Sequence, residues 1–449
     1  MSSAIRAGSG RPVNDAGDGA TPRRLGSDSD GAGSRRLQCR YLLALLSVFA
    51  GCRPLPMEES TPAPVAEVPA ARAPSLLPGG LERWEPVWAD EFEGGDAELD
   101  RDWKSQNGPS GHILSSRWRE NAVLTNGMLR LVNRKEQRGG QEWTSGNVWT
   151  HQSYQYGYFE CRYRYAEAEG CNNSFWLMPT GKAPPGHKHF EIDINEGHYP
   201  NEVNSNIHNH SDRIEVNGRK THPTSSRSFT FGVRPEAALQ LENPVSARRI
   251  RFSTRHRAAV HLGEFAVLGV TGRVDYARDP ATRITASGFV TAGADTTKLL
   301  VDGRPDTRWV SQREGAKWLE FAFPSDRVVG AIRFLNGYGP ANDPKALLDD
   351  YRLEYHDGRQ WRELADFDVA QGAFNFAREF HVFGLDWTEQ ELVFYLDGKE
   401  LRREPNVFCR SPAPIWLSLA IIPWAGPVTD AIDGTFMEVD YVRVFRRKQ

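Results

Sequence analysis

The chain has 449 residues, with 58 acidic and 55 basic side chains and a net charge of −3 at pH 7. That length accommodates two or three domains. The near-neutral charge lacks the basic excess of nucleic-acid-binding proteins, so we expect no nucleic-acid partner. The 13 Trp and 13 Tyr residues are suited to stacking on sugars or to core packing.

The N-terminal region predicts export rather than a folded body. Residues 1–34 are rich in Gly, Ser, Arg and Asp, which predicts a disordered extension. The apolar run at 41–50 follows several arginines and is too short to span a bilayer, as in a signal peptide. Small residues precede Cys52, as in a bacterial lipobox. We therefore expect residues 1–52 to be an extension plus a lipoprotein-type signal, with lipid anchoring at Cys52 in the bacterial cell envelope.

An ordinary cleaved signal peptide is the alternative interpretation of the N-terminal region. A Pro- and Ala-rich stretch at 53–80 predicts a linker to the body in either case. The body contains three further cysteines, Cys161, Cys171 and Cys409, without the spacing of a metal site. One disulfide is permitted in an exported protein, but the sequence does not choose the pair.

From Trp84 onward the sequence is all-β in character. Short strand-like runs such as 128–132 and 156–160 are separated by Gly, Asn and Pro, and long helical periodicity is absent. This pattern is typical of β-sandwiches and jelly rolls.

Residues 191–196, Glu-Ile-Asp-Ile-Asn-Glu, place three carboxylates in one strand-like segment. Alternate side chains of a strand share a face, so Glu191 and Asp193 point the same way. A β-bulge would bring Glu196 onto that face as well. The apolar side chains between them would be buried on the opposite face: Phe190, Ile192 and Ile194.

Crowded carboxylates suit glycoside hydrolysis. A retaining enzyme needs an ionised and a protonated carboxyl group about 5–5.5 Å apart, and like charges raise at least one pKa. A solvated acidic face and a carboxylate site for a hard cation are the other interpretations. The spacing alone leaves these three possibilities open.

Motifs in both halves of the chain resemble glycoside hydrolase family sixteen. In chain order they are Trp88-Ala89-Asp90-Glu91-Phe92, 144–147, 156–160, Ser174-Phe175-Trp176-Leu177-Met178-Pro179, 380–387, 394–398 and 437–444. The resemblance implies a concanavalin-like β-jelly roll, formed by 81–228 and 372–449, with a sugar cleft on its concave sheet.

The resemblance also assigns roles to the acidic residues. Glu191 matches the nucleophile, Asp193 the assisting acid and Glu196 the acid/base, and no cofactor is required for catalysis. Asn195 departs from the family's usual apolar residue, and we expect it to point away from the cleft.

Residues 229–371 interrupt the family pattern and resemble an inserted discoidin-type, galactose-binding-like β-sandwich. The resemblance rests on 302–309, 317–321 and 351–358. Segments that resemble that family's last strands, 247–252 and 263–269, come before these motifs. We therefore infer a circularly permuted discoidin domain, and a truncated domain with borrowed strands is the alternative.

The discoidin resemblance also implies a structural calcium ion. The matching positions are Glu264, Asp302, Asp306 and Thr307, all of which offer the oxygen ligands that calcium prefers. A hydrogen-bonded turn without a metal is the alternative.

Together these features predict a retaining endo-β-glycosidase that acts as a monomer on internal β-linkages of a polysaccharide. The substrate is a β-1,3-glucan or a galactan such as agar, porphyran or carrageenan, and the insertion and the arginines favour galactans. The alternatives are a transglycosylase and a catalytically weak or inactive carbohydrate-binding surface lipoprotein. Candidate substrate-binding residues are Trp143, Trp176, His208, His210, Arg117 and Arg119.

Overall fold

The computed structural model describes residues 73–337, 347–372 and 374–448. The predicted extension, signal peptide, lipidation site Cys52 and the first part of the linker lie outside these residues. Within them, no helix is long and apolar enough to cross a bilayer.

Strands dominate the described chain. Those before the interruption are β1 (Trp84–Asp90), β2 (Trp103–Ser105), β3 (Ser115–Arg117), β4 (Ala122–Thr125), β5 (Met128–Val132), β6 (Trp143–Ser145), β7 (Asn147–Thr150), β8 (Gly157–Arg164), β9 (Cys171–Leu177), β10 (Phe190–His198), β11 (Glu202–Asn209), β12 (Ile214–Val216), β13 (Arg219–Thr221) and β14 (Thr224–Thr230). A single α-helix in the described residues, α1 (Asp96–Asp102), joins β1 to β2.

The remaining strands fall into two groups. Those of the interruption are β15 (Glu236–Thr254), β16 (His261–Gly269), β17 (Arg283–Ala286), β18 (Trp309–Val310), β19 (Lys317–Asn336), β20 (Asp350–His356) and β21 (Trp361–Asp368). Those after it are β22 (His381–Trp387), β23 (Glu391–Leu396), β24 (Lys399–Pro405), β25 (Ile415–Ile421) and β26 (Phe436–Arg447).

Two antiparallel sheets form the jelly-roll part. Sheet I has the order β24-β23-β22-β8-β26-β5-β4, and β1 pairs with β26 as well. Sheet II has the order β14-β11-β10-β9-β25-β7-β2. Both sheets therefore combine strands from before and after the interruption, and the prediction of an all-β, jelly-roll-like fold is confirmed.

The core between sheets I and II follows from alternation along the strands. In β5, Leu129 and Leu131 are fully buried whereas their neighbours are partly exposed, as a half-buried strand requires. One hydrophobic cluster joins both sheets, with Phe159 from sheet I and Phe175 from sheet II among its buried members. Burial of this apolar surface is the main force that holds the two sheets together.

The interruption forms a sheet of its own, sheet III, with the order β18-β16-β19-β15-β20-β21 and with β17 paired to β19. It has a separate hydrophobic cluster, in which the rings of Phe265 and Phe334 stack with centroids 5.3 Å apart. Sheet III lies within the predicted segment 229–371, although its discoidin character and circular permutation stay predictions.

The chain enters and leaves the interruption at one place. The backbone N–H of Phe231 donates to the carbonyl of Asn201, and that of Phe376 donates to the carbonyl of Pro200. The two points where the chain enters and leaves the interruption, which we call its crossings, are thus both bonded to the turn that joins β10 to β11.

The end of the predicted linker belongs to the folded body. The backbone N–H of Leu76 donates to Glu160 Oε2 at 3.1 Å, and the Tyr158 hydroxyl donates to the Leu76 carbonyl. The indole N–H of Trp84 donates to the Pro78 carbonyl. Residues 73–80 therefore pack on sheet I, so the linker predicted at 53–80 is shorter than expected.

The cysteines of the body, Cys161, Cys171 and Cys409, are all buried and free. No disulfide forms between these described cysteines. Burial raises the pKa of the Cys171 thiol to about 12, so it is a poor thiolate nucleophile.

Gly157, at the start of β8, offers a test of the sheet I packing. Its φ is +142°, and an added Cβ would lie 2.2 Å from the carbonyl oxygen of Phe445. We expect Gly157→Ala to lower the free energy of unfolding by about 2–4 kcal/mol through strain and overlap with β26. The measurement is denaturant-induced unfolding.

Gly140→Ala is the matched control for Gly157→Ala. Gly140 also has a positive φ, +80°, but nothing lies within 4 Å of an added Cβ. Gly140→Ala should therefore lower the free energy of unfolding only by the cost of a left-handed backbone conformation for alanine, about 1–2 kcal/mol. Equal losses in the two variants would contradict the close approach of β8 and β26.

Candidate active site

The predicted bulge is present in β10, which lies between β9 and β11. Asp193 pairs with Trp176 on β9 and Asn206 on β11, and the register then shifts before Glu196 on both sides. The apolar residues of the motif are at most 3 % exposed and belong to the core: Phe190, Ile192 and Ile194. The bulge thus directs three carboxyl groups to the face away from the core, as expected.

The bulge also places Asn195 inside the protein. Its amide nitrogen donates to the hydroxyl of Tyr163 at 2.6 Å and to that of Tyr165 at 2.9 Å. Asn195 is fully buried and points away from the carboxyl groups, as predicted. Its amide nitrogen is satisfied by Tyr163 of β8 and by Tyr165, the residue that follows β8, whereas its side-chain oxygen is buried without a hydrogen-bond partner in the described residues.

Glu191 is held ionised by hydrogen-bond donors. Burial alone would raise its pKa, but the hydrogen bond with His210, the charges of the His208 and His210 rings, and a further hydrogen bond from Asp193 together outweigh burial and hold the pKa below its ordinary value. The Nε2 atom of His210 lies 2.7 Å from Glu191 Oε2. This carboxylate can therefore serve as an anion below neutral pH.

Asp193 lies deepest in the site and is only 2 % exposed. Burial and the neighbouring charges of Glu191 and Glu196 raise its pKa well above the ordinary value. A protonated Asp193 can donate its hydroxyl to Glu191. Asp193 also contacts His208, whose Nε2 lies 3.2 Å from Asp193 Oδ2.

Glu196 has a different environment. The amide of Asn172 on β9 donates to Oε1 at 2.6 Å, and that of Asn206 on β11 donates to Oε2 at 2.8 Å. Burial outweighs these hydrogen bonds and raises the pKa of Glu196. The two ends of the motif therefore favour opposite protonation states, as acid/base chemistry requires.

The histidines predicted from β11 lie beside the motif. The rings of His208 and His210 are parallel within 4°, with centroids 5.7 Å apart. His208 Nδ1 contacts His222 Nε2 at 3.0 Å and Thr224 Oγ1 at 2.9 Å. Burial lowers the pKa of His208 to about 4, so it is neutral at physiological pH.

Some residues of the site were missed from the sequence. Asn206 shares the alternation of His208 and His210 along β11, and that pattern could have identified it. Asn172 and His222 carried no such signal. Asn172 reaches the motif through the pairing of β9 with β10, and His222 contacts His208 from the loop before β14.

The predicted tryptophans have different positions. By strand register Trp176 lies beside Asp193, and its ring stacks on Trp416 with centroids 4.7 Å apart. Trp416 in turn stacks on Trp149, so a row of indoles extends from the motif across sheet II. Trp143 is 5 % exposed within the main hydrophobic cluster, so a role as a sugar platform does not fit its position.

The two predicted arginines also differ. Arg117 is buried, its pKa is lowered to about 10 by burial, and its charge acts on His112 together with that of Glu191. Arg119 is instead bound by the Asp96 and Asp100 carboxylates and the carbonyl of Ala122, so its role is structural and not in substrate binding.

The predicted calcium residues already have protein partners. Glu264 accepts hydrogen bonds from Arg278 and from the backbone N–H groups of Gly303 and Arg304. The hydroxyl of Thr307 donates to Asp302, and Asp306 is turned towards Arg304. A calcium ion would have to displace these donors, so calcium binding here stays a prediction.

In the described residues one group of side chains has the spacing of a metal site. Ligand atoms of Glu191, Asp193 and His208 lie within 4.8 Å of one another. Two carboxylates and a nitrogen are fewer oxygens than the six to eight that calcium takes. Their direct hydrogen bonds account for the grouping, and the site suits acid/base chemistry better.

The sequence model of one protein family matches the part of the chain that contains these carboxyl groups. The sequence model of the family described as Glycosyl hydrolases family 16 matches residues 112–233 and 355–443. The first segment contains β10 and β11, and the gap between the segments contains most of sheet III.

The alignments with individual relatives cover smaller shares of the proteins. A β-glucanase from Rhodothermus marinus is 29 % identical over 203 residues, which are 41 % of this chain and 64 % of the relative. The endo-1,3-1,4-β-glycanase EglC from Rhizobium meliloti (strain 1021) is 38 % identical over 68 residues, which are 15 % of each protein. The chain thus spans less than two thirds of either relative.

Among solved structures, the laminarinase catalytic domain from Thermotoga maritima MSB8 is 17 % identical with a TM-score of 0.44. The alignment covers 82 % of this chain and all of that chain. Over the two matched segments, which include the strands of sheet II that carry the carboxyl groups, this chain is therefore similar to glycosyl hydrolases family 16.

Proposed function

We propose that the protein is a retaining endo-β-glycosidase that cleaves internal linkages of a β-1,3-glucan or a mixed β-1,3-1,4-glucan. The observation that carries this proposal is the bulged strand β10, on which Glu191 and Glu196 share one face but have pKa values displaced in opposite directions. That pair provides an anion and an acid in one site at the same pH.

The glucan preference rests on the curated relatives, which include β-glucanases. The sequence alone favoured galactans, partly through the arginines. Because Arg119 is bound to Asp96 and Asp100, it no longer supports that preference.

In the first step, ionised Glu191 attacks the anomeric carbon of the sugar. The bond from that carbon to the glycosidic oxygen breaks, and protonated Glu196 gives its proton to the departing oxygen. The product is a covalent glycosyl ester of Glu191. The hydroxyl of Asp193 orients Glu191 and disperses its charge.

In the second step, Glu196 is ionised and acts as a base. It removes a proton from water, whose oxygen attacks the anomeric carbon and displaces Glu191. Two inversions retain the β configuration. Asn172 and Asn206 hold the Glu196 carboxyl group in place through both steps.

A panel of polysaccharides tests the substrate class. We expect reducing ends to be released from laminarin or lichenan with a higher kcat/KM than from agarose, porphyran or carrageenan. Faster release from any of the galactans would reverse the glucan assignment. If no reducing ends were released from any of these polymers, the proposed activity would be contradicted, and a carbohydrate-binding protein would be the remaining interpretation.

Substitution of the two glutamates separates their roles. Glu196→Ala should lower kcat/KM on the polysaccharide by about 10²–10⁴-fold, and Glu191→Ala by at least as much. With an activated aryl β-glycoside and azide, Glu196→Ala should form the β-glycosyl azide, because Glu191 still makes the covalent intermediate. Glu191→Ala should form the α-glycosyl azide by direct displacement, and NMR distinguishes the products.

The exposed carboxylate Glu215 on β12 provides the control for these substitutions. Glu215→Ala should have wild-type turnover. Unchanged turnover in Glu191→Ala, or the same azide anomer from both alanine variants, would overturn the assigned roles.

The pH profile tests the contact between His210 and Glu191. Activity needs ionised Glu191, so it falls as the pH drops through the pKa of that group. His210→Phe removes the hydrogen bond that opposes burial, and the acid limb of kcat/KM should therefore move to higher pH. His210→Gln retains an amide donor and should restore part of the shift. An acid limb unchanged in His210→Phe would rule out this role of His210.

A further inference from the structure

A cavity lies between sheet II and sheet III. Its volume is about 520 Å³, and its lining includes residues of both parts of the molecule. From the jelly roll come His198, at the end of β10, and Trp424, which follows β25. From the interruption come the turn 255–258 and the ends of β20 and β21.

The turn 255–258 of the interruption makes ion pairs and hydrogen bonds with the ends of β20 and β21. Arg255 contacts Asp350 at 3.2 Å and Asp368 at 2.7 Å. The Thr254 hydroxyl and the Arg255 backbone N–H also bond to Asp350. The next arginine, Arg257, is exposed and has no ion pair within the residues that the structure describes. It lines the cavity together with Glu169, on which its charge acts.

Trp424 forms the opposite side of the cavity. Its side chain is 64 % exposed, although most large apolar residues of the jelly roll are buried. A flat exposed indole beside hydrogen-bonding groups is a suitable surface for the apolar face of a sugar ring.

One lining residue of the cavity lies on the same strand as the proposed acid/base. His198 lies two residues beyond Glu196 on β10, on the same face of the strand, about 7 Å along it. Its charge acts on Glu196. The cavity therefore borders the acid/base end of the motif rather than the nucleophile end.

The charges of the cavity select against anionic ligands. Two arginines and two histidines line it, but so do five carboxylates: Glu169, Glu202, Asp349, Asp350 and Asp368. An acidic lining repels sulfate and uronate groups, whereas carboxylates and a guanidinium bind neutral hydroxyl groups well.

We propose that this cavity binds a neutral sugar residue of the polysaccharide on the leaving-group side of Glu196. Trp424 stacks on the ring and Arg257 donates to its hydroxyl groups. The interruption thus contributes directly to the choice of substrate. This inference rests on the proposed function for its location, but it concerns binding and not the chemical step.

The test compares a long and a short substrate in the full chain. Arg257→Ala and Trp424→Ala should each lower kcat/KM for a β-1,3-glucan hexasaccharide about tenfold, mainly through KM, which corresponds to about 1.4 kcal/mol. An aryl β-1,3-glucan disaccharide has a small leaving group that does not reach the cavity, so its kcat/KM should be unchanged. Arg248→Ala, an exposed arginine of β15 outside the cavity lining, is the control and should match the wild type.

Equilibrium binding separates failure of this inference from failure of the proposed function. Calorimetry with the hexasaccharide in a Glu191→Gln background needs no turnover, and Arg257→Ala should weaken binding about tenfold there. If the wild type hydrolyses nothing, weaker binding still supports the cavity. Equal binding with and without Arg257, or equal losses on the long and short substrates, would overturn the proposal. Thermal unfolding of each variant verifies that the fold is retained.

Discussion

The single extra residue in β10 is the constraint on which the site depends. In a regular strand, the side chain two residues beyond Asp193 would be Asn195, and Glu196 would point into the core. The bulge exchanges the directions of these two side chains. In return, one backbone position is left unpaired and a polar side chain points into the core. The inward-facing amide nitrogen of Asn195 donates to the hydroxyl groups of Tyr163, in β8 of sheet I, and of Tyr165, which follows β8. The packing of sheet I on sheet II therefore supports the geometry of the carboxyl groups.

Burial does not by itself give the three carboxyl groups different pKa values, since it favours the neutral form of each. Their partners make the difference. Glu191 faces a histidine ring and Asp193, whose pKa is raised, whereas Glu196 faces two amides that stabilise its charge less than burial opposes it. Because β9 and β11 supply these partners, the protonation pattern depends on the pairing of sheet II as much as on the motif.

The sequence was informative wherever the relevant spacing lay within one strand. Alternation and the family motifs predicted the all-β class, the bulge, the buried face of β10 and the position of His208 and His210. Contacts between distant segments were not predicted. The pairing that brings Asn172 to Glu196, the burial of Trp143 and the ion pairs of Arg119 all depend on neighbours that no local pattern reveals. The C-terminal boundary of the linker was predicted too late in the chain for the same reason. Its Pro-rich composition gives no indication that carbonyl groups near residue 80 accept hydrogen bonds from sheet I.

The two crossings of the interruption have a consequence for how such a protein can diversify. Phe231 and Phe376 are tied to adjacent carbonyl groups of one turn, so the polypeptide departs and returns within a single small region. Closing a long excursion between neighbouring points costs little more than closing a short one. Segments of very different length can therefore be exchanged there by recombination without disturbing the register of either jelly-roll sheet. The chemistry of β10 and the shape of the neighbouring surface are free to evolve separately.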